Sequence, residues 1–387
     1  MLPQLHRHPW MDEQIEAFRD QVRRYIAAEL TPHLEGWRRQ GFIPRETWRP
    51  FGELGFLLPE ISDAYGGAGA TLAYQLVAQD ELARAEMPAN TAVHSIAAHY
   101  ILDYGTEAQK QRWLPRLASG ELLAGIALTE PGCGSDLKAL KTRARRDGDH
   151  FVIDGAKTFI TNGFTANLLV VAVRTGEAGA RGVSMVVVET EGLAGFQVGR
   201  RLQKLGQHAS DTAELSFDGV RVPADALLGE AGQGFSQLMS QLPYERLMLA
   251  VPAAAVIERA VELTLAYTSE RKAFGQSLGD FQNTRFKLAE CATLAHVVRT
   301  FINDCIQRLL DGTLDEQAAY MAKWWCTEQQ CKVVDECLQL FGGYGYMIEY
   351  PIARLYADAR VQKIYGGANE IMKDLIARQL FSAPGGR

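Results

Sequence analysis

The stretch 126-IALTEPGCGSD-136 marks the point at which helical sequence gives way to sheet. It combines the hydroxyls of Thr129 and Ser135 with a proline and with two glycines that flank Cys133. Such a loop can present backbone N–H groups and short hydroxyls to a flat polar ring without obstruction by side chains. Taken alone, this stretch is more simply interpreted as an ordinary turn. The rest of the sequence has to decide between a turn and a ligand-binding loop.

Helical periodicity dominates the sequence before this loop. Apolar residues such as Ile15, Phe18 and Val22 recur at helical spacing from Asp12 onward. Proline and glycine breaks divide the region into helices of ordinary length, the last of them ending near Gly120. An all-α unit is therefore predicted for the N-terminal third.

The residue pattern changes from helical to strand-like after the loop. β-Branched and aromatic runs such as 151-FVIDGAKTFITN-162 and 212-TAELSFDGVRVP-223 are separated by turn residues, which is typical of an antiparallel sheet. Helical periodicity returns near Gly234 and continues to Arg378. The pattern predicts an α+β chain with a helical domain at 1–123, a β domain at 124–234 and a helical bundle at 235–387.

Composition limits the function classes. The 387 residues suggest two or three domains, and 40 Lys+Arg against 46 Asp+Glu give a net charge of −6, which disfavours nucleic acid as a partner. Apolar runs are too short to span a bilayer, and the N-terminus has no cationic start followed by an apolar run. The six cysteines include no C-x-x-C pair. We therefore expect reduced thiols, a cytoplasmic location and no transmembrane segment.

Common cofactor and metal motifs are missing. The clusters 66-GGAGA-70 and 342-GGYG-345 do not give G-x-G-x-x-G between a strand and a helix, and no P-loop occurs. The eight histidines are scattered without ligand spacing, so no metal site is expected. No G-x-S-x-G elbow follows a strand, which argues against a hydrolase.

Three segments together carry a resemblance. The loop 126–136, the segment 271-RKAFGQSLGDFQ-282 and the segment 339-QLFGGYGYMIEYPIARLYADARVQKIYGGANEIMKDLIAR-378 strongly resemble the acyl-CoA dehydrogenase family of flavoproteins. The resemblance covers nearly the whole chain. It implies a helical N-terminal domain, a middle β-barrel, a C-terminal four-helix bundle and a homotetramer. It also implies FAD, α,β-dehydrogenation of an acyl-CoA thioester, and an electron-transfer flavoprotein as acceptor.

The same resemblance assigns FAD contacts residue by residue. Positions near the isoalloxazine ring are Leu128, Thr129, Gly134, Ser135, Phe159, Ile160 and Thr161, with the threonine hydroxyl of the 158-TFITN-162 stretch directed toward flavin N5. Positions that would bind FAD across a subunit interface are Arg271, Phe274, Gln282, Gln339, Gly342 and Gly343. Further positions assigned to the cofactor are Ala368, Asn369 and Glu370, although Ala368 stands where a threonine is usual.

The catalytic base departs from the commonest family pattern. Most members carry the base in a Y-E-G tripeptide, whereas this chain has 365-YGG-367, and Gly366 cannot accept a proton. In 241-QLPYERLMLA-250, Glu245 is the one carboxylate on an otherwise apolar helical face. A glutamate in a helix is ordinarily solvated, but the long-chain and isovaleryl members resemble this chain in an E-R-L context and lack the later glutamate. Glu245 is therefore predicted to be the base.

Substrate contacts are implied at Ser135, Tyr244, Arg246, Gly366 and Gly367. The thioester carbonyl would lie against a backbone N–H near Gly366 and a ribityl hydroxyl of FAD, and Arg246 would position the CoA portion. From the residues alone, Arg246 could instead pair with Glu245 or Glu258. Three alternatives stay open: a dehydrogenase of a carrier-protein-bound acyl or aminoacyl thioester, a flavin oxidase, and a non-catalytic flavin- or acyl-CoA-binding relative.

Overall fold

A computed structural model describes residues 8–382. Asp12 caps the first helix by accepting the Ile15 N–H at 2.8 Å, and Gly41 ends the second at φ +85°. Thr106 and Gln109 form a reciprocal capping box at the sixth. The helices of the N-terminal unit within the described range are α1 (Glu13–Tyr25), α2 (Leu34–Gln40), α3 (Trp48–Glu53), α4 (Leu72–Arg84), α5 (Asn90–Tyr104) and α6 (Glu107–Ala118).

The middle unit is one twisted sheet of eight strands. They are β1 (Ala124–Ala127), β2 (Arg143–Asp147), β3 (His150–Thr161), β4 (Leu168–Arg174), β5 (Val183–Glu189), β6 (Phe196–Arg201), β7 (Thr212–Pro223) and β8 (Leu227–Leu228). The strand order is β6-β7-β3-β2-β4-β5-β8, and β1 pairs parallel to β4. Side chains from β3, β4, β5 and β7 meet in a separate apolar core that includes Ile153, Val171, Val186 and Phe217.

Long helices form the C-terminal unit. They are α7 (Gly234–Glu270), α8 (Gln282–Leu310), α9 (Glu316–Leu340), α10 (Pro351–Ala359) and α11 (Asn369–Ser382), and the short strands β9 (Lys272–Ala273) and β10 (Gln276–Ser277) connect α7 to α8. The 37 residues of α7 span about 55 Å at ~1.5 Å per residue. Helix α7 packs on α4 and α5 of the N-terminal unit and on α8 and α9 of its own unit, so it joins the two helical units.

The predicted order of helical, sheet and helical domains is confirmed. The middle domain expected from the resemblance is this sheet, whose strand path runs from β6 to β8 with β1 paired to β4. The first strand begins at Ala124, and α7 begins at Gly234, one residue before the predicted boundary. No helix of the described chain combines the length and apolar character that a membrane span needs.

Candidate functional site

The two stretches assigned to the flavin ring lie side by side. The Thr158 N–H donates to the carbonyl of Thr129 at 2.9 Å. Beneath them, Lys157 donates to the Leu128 carbonyl at 3.1 Å and to Glu130 Oε1 at 3.0 Å. Burial lowers the pKa of Lys157 to about 8, although the Glu130 carboxylate opposes that shift. A buried ion pair therefore anchors the loop that the sequence singled out.

The exposed side of this loop is open enough for a flat ring. A Cβ added at Gly132 or Gly134 would meet no atom within 4 Å, and Ser135 is exposed. Phe159 is 66% exposed and has φ +59°, an unfavourable backbone conformation for an aromatic residue. Ile160 is buried in the core of the sheet, so only its backbone can face a ligand. These features fit the isoalloxazine of FAD.

A second predicted FAD group lies at the opposite end of α7. The Arg271 guanidinium lies 5.4 Å from the ring centroid of Tyr344, which places it beside Gly342 and Gly343. Phe274 is 96% exposed at φ +51°. Gln282 is the first residue of α8, and Gln339 is the second-last residue of α9. Both side chains are exposed.

The two predicted FAD groups lie near opposite ends of α7. Lys138, close to the flavin loop, has its Nζ 5.5 Å from the ring centroid of Phe235 at the start of α7. Arg271 follows the end of that helix, about 54 Å away at ~1.5 Å per residue. The structure therefore brings together the residues within each group but keeps the two groups apart.

Glu245 lies on α7 with its side chain only 13% exposed. Its Oε1 accepts a hydrogen bond from the hydroxyl of Tyr100 at 2.7 Å, and its Oε2 lies 3.5 Å from Arg246 Nη1. Burial raises the pKa of Glu245 above its ordinary value, while Arg246 and Tyr100 pull it back down. The result is a carboxylate held in place and shifted toward the pH range in which a general base works best.

The glycine loop of 365-YGG-367 lies against Arg246 and Leu249, which flank this carboxylate on α7. Gly366 and Gly367 have φ +58° and +89°. A Cβ at Gly366 would fall 2.0 Å from Leu249 Cδ1, and one at Gly367 would fall 3.3 Å from Arg246 Nη2. The structure thus joins the predicted base, the predicted CoA-positioning arginine and the predicted carbonyl-binding loop at one place.

Of the two carboxylates that the sequence offered as partners of Arg246, the structure places Glu245 beside it. Arg246 neighbours Glu245, whereas Glu258 pairs with Arg84 and Arg299. Tyr244, also predicted to bind substrate, is buried, and its hydroxyl lies 2.8 Å from Ser95 Oγ.

The start of α11 is held from below by a buried lysine. Lys323 donates to the Gly367 carbonyl at 2.6 Å and to Asn369 Oδ1 at 2.9 Å. Burial, and next the charge of Arg246, lower the pKa of Lys323 to about 7. Asn369 is fully buried and also bonds to Thr327, so its side chain is committed to the protein. Ala368 is half-buried, and Glu370 is exposed.

Sequence reasoning missed Tyr100 and Lys323. Tyr100 is separated from Glu245 by 145 positions, and no motif marks it. Lys323 interrupts an apolar helical face, which is a weak indication of a buried, partnered lysine.

Comparisons with known proteins agree with this geometry. Family models described as the acyl-CoA dehydrogenase N-terminal, middle and C-terminal domains match residues 12–121, 125–220 and 232–381. The mitochondrial long-chain specific acyl-CoA dehydrogenase of Mus musculus is 45% identical over 372 residues, which is 95% of this chain and 86% of that protein. An acyl-CoA dehydrogenase structure from Geobacillus kaustophilus has a TM-score of 0.94 and 45% identity, covering 96% and 99% of the two chains. A chain in a structure titled as the electron transferring flavoprotein of Acidaminococcus fermentans has a TM-score of 0.91 and 31% identity, covering 99% and 100%.

Proposed function

The chain belongs to the acyl-CoA dehydrogenase family of FAD-dependent oxidoreductases, and we propose that Glu245 is the base with which it dehydrogenates an acyl-CoA between the α and β carbons. The observation that carries the assignment is the carboxylate itself. It is partly buried and held by Tyr100 and Arg246, and the same Arg246 lies beside the glycine loop. The position of the more common base is Gly366, and Leu249 fills the space that a side chain there would need.

The proposed reaction moves a proton and a hydride in opposite directions. Glu245 takes the proton from the α-carbon, and the electron pair of that C–H bond becomes the new C=C bond. When bound, FAD accepts the hydride that leaves the β-carbon. The product is the trans-2-enoyl thioester, and the enzyme holds one proton on Glu245 until it is released.

Residues of this chain stabilise the charge that develops on the thioester oxygen. The backbone N–H at Gly366 is proposed as one donor, because a fixed donor in a water-poor site stabilises an enolate-like oxygen without reorganisation. Lys323 holds the carbonyl of Gly367, so the orientation of the loop is fixed before substrate arrives. Arg246 keeps positive charge beside the thioester and limits the rise in the pKa of Glu245.

A cationic recess next to the flavin loop supports CoA as the carrier of the acyl group. It runs from Lys138 to Arg145 along the loop and β2, and also includes 174–178. Lys138, Lys141, Arg143 and Arg145 all lie on its wall. A phosphate-bearing carrier is attracted to such a surface even though the whole chain is acidic. The names of similar proteins support long-chain acyl groups as substrates.

The separation of the two FAD groups supports an assembly of several copies, which we propose to be a homotetramer. The flavin loop lies near the start of α7 and Arg271 and Phe274 follow its end, about 54 Å further along the helix axis, so we propose that they contact FAD in another copy of the chain. Large apolar side chains exposed near the far end of α7 and on α11 would be covered in such an assembly, and they include Phe274, Tyr346 and Phe381. We further propose an electron-transfer flavoprotein as acceptor and a cytoplasmic location, the latter supported by six free thiols.

The decisive experiment replaces the base. Glu245→Gln keeps an oxygen that can accept the Tyr100 hydrogen bond but cannot take a proton. Anaerobic bleaching of the bound flavin by dodecanoyl-CoA should slow by about 10²- to 10⁴-fold, the usual contribution of a general base. The variant should stay folded and yellow, and full activity would remove Glu245 from the mechanism.

Two substrate panels separate the alternatives. Bleaching by acyl-CoA in the wild-type protein distinguishes an enzyme from a binding relative. Comparing dodecanoyl-CoA with the same acyl group on a carrier protein distinguishes the two thioester classes. Rapid reoxidation of the bleached flavin by oxygen alone would favour the oxidase.

A further inference from the structure

A small cavity lies on the same face of α7 as Glu245. Pro252 and Val256 line it and follow Glu245 by 7 and 11 positions, spacings that return to the same face of a helix. At ~1.5 Å per residue they lie about 10 and 16 Å from the base along the helix axis. Leu249 occupies the intervening turn of that face. An acyl chain that runs from the base along α7, past Leu249, would reach this cavity.

The cavity wall carries several polar side chains among its apolar ones. Gln330 is 1% exposed, and its Oε1 atom lacks a hydrogen-bond partner in the described chain. Asp358 lines the same wall, where burial raises its pKa. Buried acceptors without donors are rare and costly in folded proteins. The Gln330 amide oxygen is therefore suited to a ligand that donates a hydrogen bond.

The charged residues that line the cavity disfavour an anionic ligand. Glu86 lines the cavity and already pairs with Arg38 and Arg354, and no lysine or arginine belongs to the lining itself. A carboxylate would therefore face Asp358 and Glu86 without a cation. The cavity volume of about 40 Å³ leaves room for a hydroxyl and the carbon that bears it. A neutral donor fits this wall and an anion does not.

We propose that this cavity is an end-group subsite for acyl chains that carry a hydroxyl far from the thioester. The proposal rests on the dehydrogenase function and names its substrate class. A zigzag alkyl chain advances about 1.3 Å per carbon, given single bonds of ~1.5 Å. The cavity is then reached about 8 to 12 carbons beyond the α-carbon. The hydroxyl would donate to Gln330 Oε1.

The test compares matched CoA thioesters on the FAD-loaded protein. Dodecanoyl-CoA, 12-hydroxydodecanoyl-CoA and dodecanedioyl-CoA have the same carbon count and differ only at the far end. We expect kcat/KM for flavin reduction to be about tenfold higher with the hydroxylated chain than with the plain one, the value of one hydrogen bond. The dicarboxylic chain should be the poorest of the three. Hexanoyl-CoA is too short to reach the cavity and reports the chemistry alone.

Gln330→Met tests the residue, and Gln329→Met is its control. Gln329 is the adjacent residue of α9 and does not line the cavity. The hydroxyl preference should fall to about one in Gln330→Met and persist in Gln329→Met. The proposal would be overturned if the wild type showed no preference for the hydroxylated chain, or if that preference survived Gln330→Met. It would also be overturned if Gln330→Met changed only the stability of the protein and left kcat/KM for all thioesters unchanged, as expected if the cavity only holds water. Failure of every thioester, hexanoyl-CoA included, would instead refute the dehydrogenase function.

Discussion

Tyr100→Phe should move the acid limb of the pH–rate profile to higher pH. The Tyr100 hydroxyl donates to Glu245 Oε1 at 2.7 Å and so stabilises the ionised carboxylate. Only the ionised form can accept the α-proton. Removing the donor raises the pKa of Glu245 further, so the carboxylate is ionised less at any pH below the limb. A hydrogen bond to a charged group is worth about 1.5 to 3 kcal/mol, which predicts a loss of about 10- to 100-fold at acidic pH.

The same variant should be nearly unimpaired at alkaline pH, where Glu245 is ionised with or without Tyr100. The assay is single-turnover flavin reduction by dodecanoyl-CoA across the pH range, which isolates the chemical step. Tyr104→Phe is the matched control, since the hydroxyl of Tyr104, one turn away on α5, bonds to Ser240 instead. An acid limb at the same pH in Tyr100→Phe and wild type would refute this coupling. A uniform loss at all pH values would indicate misplacement of the substrate.

Two further substitutions test the loop that faces the base. Lys323→Met removes the donor to the Gly367 carbonyl, and we expect urea unfolding to show a loss of about 1 to 3 kcal/mol. The exposed Lys332 on the same helix provides the control, since Lys332→Met should change little. Gly366→Ala places a Cβ on Leu249 at a positive φ, so it should lower stability by about 1 to 3 kcal/mol and slow flavin reduction. Leu249→Ala in the same chain should recover part of the loss, and a fully active single variant would contradict the packing.

Regular segments of the fold were predictable from the sequence because their patterns are long. The apolar period of 235–271 corresponds to a helix that begins at Gly234 and ends at Glu270. The β-branched runs of the middle third correspond to β3, β4, β5 and β7. The order in which the strands pair could not be predicted in this way, because single-strand patterns do not say which strands are neighbours. The parallel pairing of β1 with β4 in a sheet predicted to be antiparallel is one example.

In the candidate site, too, only residues marked by a local sequence pattern could be predicted. Glu245 was identifiable because a single carboxylate interrupts an apolar helical face and the usual alternative position is a glycine. Its partner Tyr100 was not, since a hydrogen bond between residues 145 positions apart leaves no local pattern. Lys323 was equally hidden, because its role depends on the Gly367 carbonyl at the end of another segment. The predicted FAD contacts of Arg271 and Gln339 stay predictions.

The two possible positions of the base are linked by packing. A residue other than glycine at position 366 would need φ near +58° and would displace Leu249, which lies one turn after Glu245 on α7. With Leu249 in place, the proposed base lies on α7, where Tyr100 and Arg246 are positioned to hold it. A glutamate at 366 would have to displace the end of the Leu249 side chain, and removing the carboxylate at 245 would leave the Tyr100 hydroxyl without its acceptor. The location of the proposed base is thus a property of the whole cluster rather than of one position.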